Sequence, residues 1–380
     1  MNRKYGVVRT LISVLVFFLV LAVVGGYGFA ETKDANAKKQ GEWQEILIDK
    51  GYSYTWCGSR QLILEGGDKK TRLTDIHAKN IHELPIAGNY GCSPDGRYVF
   101  SLQKTKDCNG LVVYDTKTKQ LQCLLQKKED SQVSFSYRSP TLLSPDGKYF
   151  AWYSKGEIRL SGGEILTLIP AFENVENIMI ILKEPDPEKR GLESIAWSPD
   201  SKKLILFTGT SHLDDLRGTP KQYLIMYDVL TNKRTTLQVK FKNEHYGKII
   251  KVSPDGKKLY IKAISGEAVE NYLYVLDLTK TGPDKSTVKP ILIRKDVWSF
   301  DIGSGNLIVF HTYPDPESPH KANIKDAGLY LTDSKGKAIQ RLTSDTIDLY
   351  PKFSRDGRAI AFRRATVKPW TNAIYVLLKK

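Results

Sequence analysis

Short apolar runs recur along this chain, and most of them follow the same tight turn. Each run is rich in Val, Ile, Phe and Tyr and either alternates or is continuously apolar, as half-buried strands require. The turn reads Ser-Pro-Asp-Gly or a close variant. Pro fixes φ at the first corner, Asp can hydrogen-bond to its own backbone, and Gly accepts a positive φ. The pattern therefore predicts hairpins of an inner and a second strand. The five turns begin at Ser93, Ser144, Ser198, Ser253 and Ser354.

The spacing of these turns reveals two further copies. The intervals are 51, 54, 55 and 101 residues, and the last is close to twice the others. A copy is therefore expected near residue 303, where 298–312 contains a Gly-Ser-Gly-Asn turn followed by an apolar run. Residues 54–67 have the same outline with a less regular turn. A fixed period of this length indicates a repeat architecture.

Each repeat has room for four strands. After the hairpin, 221–239 and 328–343 each read as a strand, a polar turn and another strand. Four antiparallel strands over about 50 residues predict an all-β fold, a β-propeller of four-stranded blades. Seven blades are favoured, with six or eight as alternatives.

The last repeat lacks its outermost strand. It supplies strands at about 349–353, 358–363 and 373–378. Residues 42–49, EWQEILID, precede the first inner strand and have the length and character of a strand. We predict that this N-terminal strand completes the last blade and closes the ring, which leaves no long open edge.

The repeat resembles the TolB-like, WD-repeat-like propeller family. The resemblance rests on the pattern W-S-P-D-G-K-x-I-A-F followed by Y-x-x-D and R-L-T, which 328–362 shows best, and it covers most of 43–380. It implies a fold rather than a function. The Asp box of sialidases has one residue between its Asp and Gly, whereas the two are adjacent here. We interpret the turn residues as structural: Asp95, Gly96, Asp146, Gly147, Asp200, Asp255, Gly256, Asp356 and Gly357.

The N-terminus has the layout of an export signal. A basic start precedes the apolar run 11–24, and small residues precede a possible cleavage after Ala30. Because 11–30 contain no charge, an uncleaved membrane anchor is equally open. Residues 1–30 are thus a signal peptide or an anchor, 31–42 a polar linker, and 43–380 a single propeller domain. Both alternatives predict an extracytoplasmic location, membrane-associated if the leader is retained.

The net charge bears on the expected partners, and the cysteines bear on the expected disulfides. The net charge is +15, which favours anionic neighbours such as a membrane or cell-wall surface. Basic residues are scattered rather than clustered, so no nucleic acid is expected. Cys57 and Cys92 end neighbouring inner strands and could form a disulfide. Cys108 would face residue 127 rather than Cys123 in the simplest register, so no bond between Cys108 and Cys123 is predicted.

The long connections fall on the face opposite the tight turns. They span 127–138, 170–192, 210–221, 312–326 and 364–372. Loops on a rigid scaffold commonly bind partners, so this loop-rich face is the candidate binding face. Trp56, Trp152, Trp197 and Trp298 are expected to pack within blades. The candidate binding residues are Glu184, Asp186, His212, Asp214, Asp215, Asp315, Glu317, His320 and Trp370.

No catalytic, nucleotide-binding or metal-binding motif is visible. The sequence therefore favours a non-catalytic binding or scaffold module, a monomer with no cofactor, that docks another envelope protein through its loop-rich face. One alternative is a propeller enzyme (a metal-assisted hydrolase, lactonase or lyase) with its site at the channel mouth. A second alternative is a carbohydrate- or cell-wall-binding module. Whether the chain is an enzyme stays open.

Overall fold

Strands make up nearly all regular structure. Residues Lys39–Lys380 form one compact unit. Within the described ranges the only helices are single 3₁₀ turns, Leu278–Lys280 and Ser304–Asn306, which confirms the all-β prediction. The computed structural model describes residues 42–380 apart from 67, 88–89, 105–107, 127–141, 148, 155–163, 171–177, 183–190, 210–220, 232, 243–244, 266–269, 282–285, 313–326, 338, 345 and 368–369.

One seven-stranded sheet joins the two ends of the described chain. Its order is β26-β27-β28-β1-β2-β3-β4. The long strand β1 belongs to both halves, because residues 43–50 pair with β28 and residues 51–57 pair with β2. The strands are β1 (Trp43–Cys57), β2 (Gln61–Gly66), β3 (Thr71–Asp75), β4 (Ile81–Leu84), β26 (Ile347–Phe353), β27 (Ala359–Val367) and β28 (Trp370–Lys379).

Five further sheets follow in chain order, each an antiparallel meander. Their orders are β5-β6-β7-β8, β12-β11-β10-β9, β13-β14-β15-β16-β20, β17-β18-β19-β21 and β22-β23-β24-β25. The short strand β20 adds in parallel to β16. The first two sheets contain β5 (Tyr90–Cys92), β6 (Tyr98–Lys104), β7 (Asn109–Asp115), β8 (Leu121–Gln126), β9 (Leu142–Leu143), β10 (Tyr149–Ser154), β11 (Glu164–Pro170) and β12 (Ile178–Leu182). The other three contain β13 (Gly191–Trp197), β14 (Lys203–Gly209), β15 (Gln222–Asp228), β16 (Arg234–Val239), β17 (Tyr246–Val252), β18 (Lys258–Ile264), β19 (Asn271–Asp277), β20 (Thr287–Val288), β21 (Ile291–Lys295), β22 (Ser299–Ile302), β23 (Ile308–Thr312), β24 (Gly328–Thr332) and β25 (Ile339–Arg341).

Two predicted loops are shorter than the sequence indicated. Strand β12 lies inside the predicted connection 170–192, since its apolar residues complete the β9–β12 sheet. Strands β27 and β28 extend into 364–372, so that only 368–369 separate them. No helix in the described residues has the length and apolar character needed to cross a bilayer.

The repeated turn is held by its serine and aspartate. In each of the five copies the serine hydroxyl donates to the carboxylate two residues later, at 2.5–2.7 Å. The same hydroxyl accepts the backbone N–H five residues on, at 2.8–2.9 Å. Glycine supplies the positive φ in four copies and Ser201 does so in the third. The hydroxyl–carboxylate pairs are Ser93–Asp95, Ser144–Asp146, Ser198–Asp200, Ser253–Asp255 and Ser354–Asp356.

Consecutive sheets pack face to face through fully buried side chains. Phe207 of β14 lies in one cluster with Ile261 and Tyr274 of the next sheet. Phe310 of β23 packs with Tyr260 of the preceding sheet. Similar clusters join most of the other neighbouring sheets. Apolar area buried between sheets in this way is the main stabilising contribution of the fold.

The N-terminal half of β1 is firmly anchored beside β28, where the sequence predicts residues 42–49. Trp43 and Ile48 are each only 5% exposed. Trp43 lies in the strand predicted at 42–49 and packs with residues of β23, β24 and β26–β28. Ile48 packs with Ile374 and Val376 of β28. Removing this half-strand would uncover both clusters.

An ion cluster adds to that anchorage. Arg364 on β27 donates two hydrogen bonds to Glu45 of β1, at 2.7 and 2.9 Å, and two to Asp348 of β26, at 2.7 and 3.0 Å. Its guanidinium also lies over the Tyr375 ring of β28. Burial alone would lower the pKa of Arg364, but the bonds to Asp348 and Glu45 hold this pKa above its usual range. One arginine thus ties together the four strands.

All four cysteines form disulfides. Cys57 and Cys92 join the ends of inner strands β1 and β5, with Cα atoms 5.0 Å apart. Cys108 and Cys123 are also bonded, with Cα atoms 5.7 Å apart, a bond that the simplest strand register did not predict. Cys108 lies just before β7, where the strand register does not fix its side chain. A register shift after Leu111 also brings Cys123 opposite Val112.

Candidate functional site

Most residues of the predicted binding face lie outside the described residues. Trp370 is the first residue of β28 rather than part of a loop, and its backbone pairs with Val367. The binding role of the whole set stays a prediction. The residues outside the described ranges are Glu184, Asp186, His212, Asp214, Asp215, Asp315, Glu317 and His320.

The opposite face, formed by the tight turns, uses its polar groups internally. Arg355 donates to the carbonyl oxygen of Pro145 at 3.1 Å, which joins the last turn to that of the β9–β12 sheet. Asn306 donates to Asp255 of the preceding turn at 3.2 Å. The pKa values of Asp95, Asp200 and Asp255 are all lowered, first of all by their serine partners. The carboxylates of these aspartates bond within their own turns, and a purely structural role for them stays a prediction.

Two positions of the repeat differ in chemistry from one copy to the next. The first lies on the innermost strand, two residues before the first residue of the turn, and we call it the inner position. In the two irregular copies the turn begins at Gly58 and Gly303, which aligns them with the others. In chain order the inner position holds Trp56, Gly91, Leu142, Ala196, Lys251, Asp301 and Lys352.

The second-strand position lies nine residues after the turn serine in the regular copies. Strand pairing gives the same alignment: Phe207 pairs with Ser194, Lys262 with Ile249, His311 with Ser299 and Arg363 with Leu349. In chain order this position holds Leu64, Leu102, Tyr153, Phe207, Lys262, His311 and Arg363. At both positions the last three repeats carry charged residues or histidine, and the first four repeats do not. We call Lys251, Lys262, Asp301, His311, Lys352 and Arg363 the charged sector.

The inner residues of the charged sector form a short chain of contacts. Lys251 lies 3.0 Å from one carboxylate oxygen of Asp301. The other oxygen of Asp301 accepts the N–H of Phe353 at 2.8 Å. Lys352 donates to the carbonyl oxygen of Tyr54 at 3.1 Å, and its ammonium lies 5.2 Å from the centre of the Tyr54 ring. Both oxygens of Asp301 are therefore engaged.

The second-strand residues lie beside aromatic groups. The ammonium of Lys262 is 5.7 Å from the Trp298 ring centre. His311 is buried and shares a 2.6 Å hydrogen bond with Ser299. Arg363 donates to the carbonyl oxygen of Tyr52 at 3.1 Å, whereas its buried Nε has no hydrogen-bond partner among the described residues.

The positive charges of the sector act on one another. Burial lowers the pKa of Lys352 to about 8, and the charge of Lys251 adds to this effect while Asp301 opposes it. Burial likewise lowers the pKa of Lys262 to about 8. The pKa of His311 falls to about 3, through burial and then the charges of Lys262 and Arg363. His311 is therefore neutral at pH 7, while Lys262 and Lys352 keep most of their positive charge.

Tyr350 presents an aromatic surface beside these cations. It has a φ of 55°, unusual for a bulky residue, and lies at a bulge in β26. Its side chain is 53% exposed. The Arg363 guanidinium lies 4.9 Å from its ring centre, and the His311 ring meets it edge-on. Strained residues of this kind concentrate at functional sites.

Sequence inspection had assigned binding to the loops and missed this sector. The signal was present, because aligning the copies on their turns shows basic residues at one position of consecutive repeats. Trp197 and Trp56 pack against hydrophobic clusters of their sheets, as expected for blade packing. Trp298 is half-buried and lies beside Lys262. The side chain of Trp152 lies outside what is described.

Comparison with known proteins shows the fold. No protein-family model matches the chain, and no curated protein matches it. An oligogalacturonate lyase solved in complex with manganese has 14% identity and a TM-score of 0.64, with 91% of this chain and 96% of that chain covered. The β-propeller domain of the Trilobed protease from Pyrococcus furiosus has 12% identity and a TM-score of 0.56, with 87% and 95% covered.

A third similar structure is longer than this chain. Dipeptidyl peptidase 4 from Porphyromonas gingivalis has 14% identity and a TM-score of 0.52, with 87% of this chain covered. This chain spans about half, 52%, of its length. At such identities the likeness shows a β-propeller fold and no activity. In the described residues no group of three or more His, Cys, Asp or Glu side chains is placed to hold a metal ion.

Proposed function

We propose that this chain is an extracytoplasmic, non-catalytic binding propeller of the TolB-like type, which docks another envelope protein through its loop-rich face. Seven four-stranded blades account for the sheets, if the seven-stranded sheet is divided within β1 into a last and a first blade. In this arrangement the N-terminal half of β1 closes the ring by completing the last blade.

The disulfides support the extracytoplasmic location. Both pairs, Cys57–Cys92 and Cys108–Cys123, are formed in the described residues. Structural disulfides persist in oxidising compartments and are rare in the cytosol. Together with the basic start and apolar run of residues 1–30, they favour export of residues 31–380.

The use of polar groups on the tight-turn face supports docking on the other side. The turn serines and aspartates bond to one another, and Arg355 bonds to Pro145. A surface whose hydrogen-bonding groups are already satisfied gains little from a partner. The sequence predicts that the long connections lie on the opposite face, and loops on a rigid scaffold are common binding sites.

Crosslinking and affinity capture from native envelopes test the proposal. The bait is the full chain, compared with a deletion of 313–326. The control reverses the charges of Lys202 and Lys257, which are exposed on the tight turns. We expect the deletion to lose the co-purifying envelope protein and the control to retain it, with unchanged unfolding midpoints. Capture that survives the deletion but is lost in the control would refute docking by the loop-rich face.

A propeller enzyme is the second candidate, and the lowered pKa of Lys262 and Lys352 favours it. A lysine that titrates near neutral pH can act as a base in proton abstraction. Assays for lyase, lactonase and hydrolase activity, with divalent cations and with a chelator, distinguish the two. Turnover that is lost in Lys352→Met would support the enzyme.

A further inference from the structure

The charged sector contains more cations than its own carboxylate can neutralise. Lys251, Lys262, Lys352 and Arg363 are cationic, and Asp301 is the one acid of the sector. Asp301 already bonds to Lys251 and to the backbone of Phe353. Among the described residues no ion pair is formed by Lys262, Lys352 or Arg363. Half-buried cations without a counter-charge are costly, so this arrangement favours an anion from outside.

Hydrogen-bond donors are also left over. The buried Nε of Arg363 has no partner within the described residues, although nearly all buried donors in folded proteins have one. The ammonium of Lys352 donates to one acceptor among the described residues, the carbonyl oxygen of Tyr54, whereas an ammonium can donate three bonds. An oxyanion accepts several such bonds at once, and bonds to charged donors are the strongest kind.

An exposed aromatic ring lies beside the cations of the sector. Lys262 and His311 lie near the C-terminal ends of β18 and β23, and Arg363 lies at the middle of β27. Tyr350, 53% exposed, lies beside them with Arg363 and His311 against its ring. An aromatic face held rigidly next to cations suits a ring-shaped ligand that bears an acidic group.

We propose that the charged sector binds an acidic saccharide, whose carboxylate or phosphate is held by Lys262, Lys352 and Arg363 and whose ring packs on Tyr350. The inference does not depend on partner docking by the loop-rich face. Carboxylate and phosphate share the required chemistry, a compact oxyanion on a sugar ring, and direct binding measurements separate them.

The test is calorimetric titration of the full chain with three sugars of the same ring size. Glucuronic acid carries a carboxylate, glucose 6-phosphate a phosphate, and glucose no charge. We expect at least one acidic sugar to bind about tenfold or more tightly than glucose. Salt should weaken that binding, because the interaction is between charges. Equal binding of all three sugars, or no binding of either acid at about 10 mM, would overturn the proposal.

Variants locate the site. Lys262→Met and Arg363→Met should each weaken binding of the acidic sugar about tenfold or more, since each removes a charged donor. Tyr350→Ala should weaken it through loss of the ring contact. Lys202→Met, an exposed lysine on a tight turn, should change affinity less than about twofold. Unaltered affinity in both Lys262→Met and Arg363→Met would refute the assignment.

Stability of the unliganded protein provides a second readout. If the sector binds a ligand, Lys262→Met removes a desolvated charge that has no ion-pair partner among the described residues. The substitution should then leave the unfolding midpoint unchanged or raise it. If instead the lysine were already paired within the chain, the substitution should lower the midpoint by several degrees. The second result would overturn the proposal even if some affinity were lost.

Discussion

The sheets of residues 51–239 and those of residues 246–380 are built from one repeat, yet they differ in charge. Both regions use the same turn, with the same serine and aspartate bonds. At the second-strand position the first region has Leu64 and Phe207, both fully buried. The second region has Lys262 and Arg363 there. The turn and the buried faces therefore define the fold, while two positions per repeat are free to acquire another role.

The two regions are also stabilised differently. The first contains both disulfides. The second contains the Lys251–Asp301 pair and the cluster of Arg364 and Asp348, to which Glu45 of β1 also bonds. Ion pairs occur in both regions, for example Arg97–Asp115 in the first. Reduction of the disulfides should thus act directly on the first region alone.

Deletion of residues 42–50 should lower the stability of the protein more than any of the changes that follow. It removes the partner of β28, the buried Trp43 and Ile48, and the bond from Glu45 to Arg364. We expect unfolding to become easier by more than about 6 kcal/mol, since each large buried side chain contributes several kcal/mol. Thermal denaturation measures this loss of stability, and a deletion of residues 31–38 serves as the control. A midpoint like that of the full chain would show that this pairing does not close the molecule.

The substitution Phe207→Lys places a lysine at the second-strand position of the first region, where the second region has Lys262. Phe207 is fully buried against Gly247 and Ile261, so a lysine there would be cut off from solvent among apolar side chains. We expect a loss of about 4 kcal/mol or more in unfolding free energy. Phe207→Leu is the control, expected to cost clearly less. If lysine were tolerated, the two regions would not differ in the environment of this position.

Loss of the Cys57–Cys92 bond should weaken the first region selectively. The bond closes a separation of 35 residues, for which chain entropy gives roughly 4 kcal/mol. Hydrogen exchange of Cys57→Ser/Cys92→Ser should show faster exchange in 51–126 than in 246–380. Uniformly faster exchange across both regions would indicate that the molecule opens as one unit.

Removing a turn serine should have the smallest effect, and it should be equal in both regions. Ser198→Ala and Ser253→Ala each remove one donated and one accepted hydrogen bond, at about 1–2 kcal/mol. Chemical denaturation gives the unfolding free energy of each variant, and the two losses are compared. Costs that differ by more than about 1 kcal/mol would mean that the turn is not equivalent in the two regions.

The same serine also predicts a pH dependence. The hydroxyl of Ser253 is the main cause that lowers the pKa of Asp255 from 3.8 to about 2. A carboxylate whose folded pKa is depressed stabilises the protein above its unfolded pKa, and this contribution is lost as pH falls through the folded value. The wild type should therefore lose stability between about pH 4 and pH 2 more steeply than Ser253→Ala. Parallel acid titrations of the two proteins would contradict this.

The sequence predicted the architecture because the turn residues act locally. Ser253, Asp255 and Gly256 bond or bend within six residues, and the apolar run after them can be read directly. The pairing of 43–50 with β28 was also predictable, since the last repeat lacked a strand. The Cys108–Cys123 bond could not be predicted, because it depends on a shift in the pairing register of β7 and β8 that no local sequence pattern indicates.

The candidate site was harder to predict for a related reason. Lys262, His311 and Arg363 are far apart in the chain, and each alone looks like an ordinary strand residue. Their charges interact because three sheets place the same repeat position side by side. The bulge that exposes Tyr350 likewise follows from pairing between β26 and β27 rather than from its neighbours in sequence.

Strand β1 also has a consequence for how the protein is made. Its first residue pairs with Lys379, which the ribosome adds some 330 residues after Trp43, roughly 15–60 s later at usual rates of synthesis. Until then residues 43–50 have no β28 to pair with and present an open edge to other nascent chains. The slow, aggregation-exposed step of biogenesis is thus expected only after β28 has been synthesised, when β1 first meets its partner.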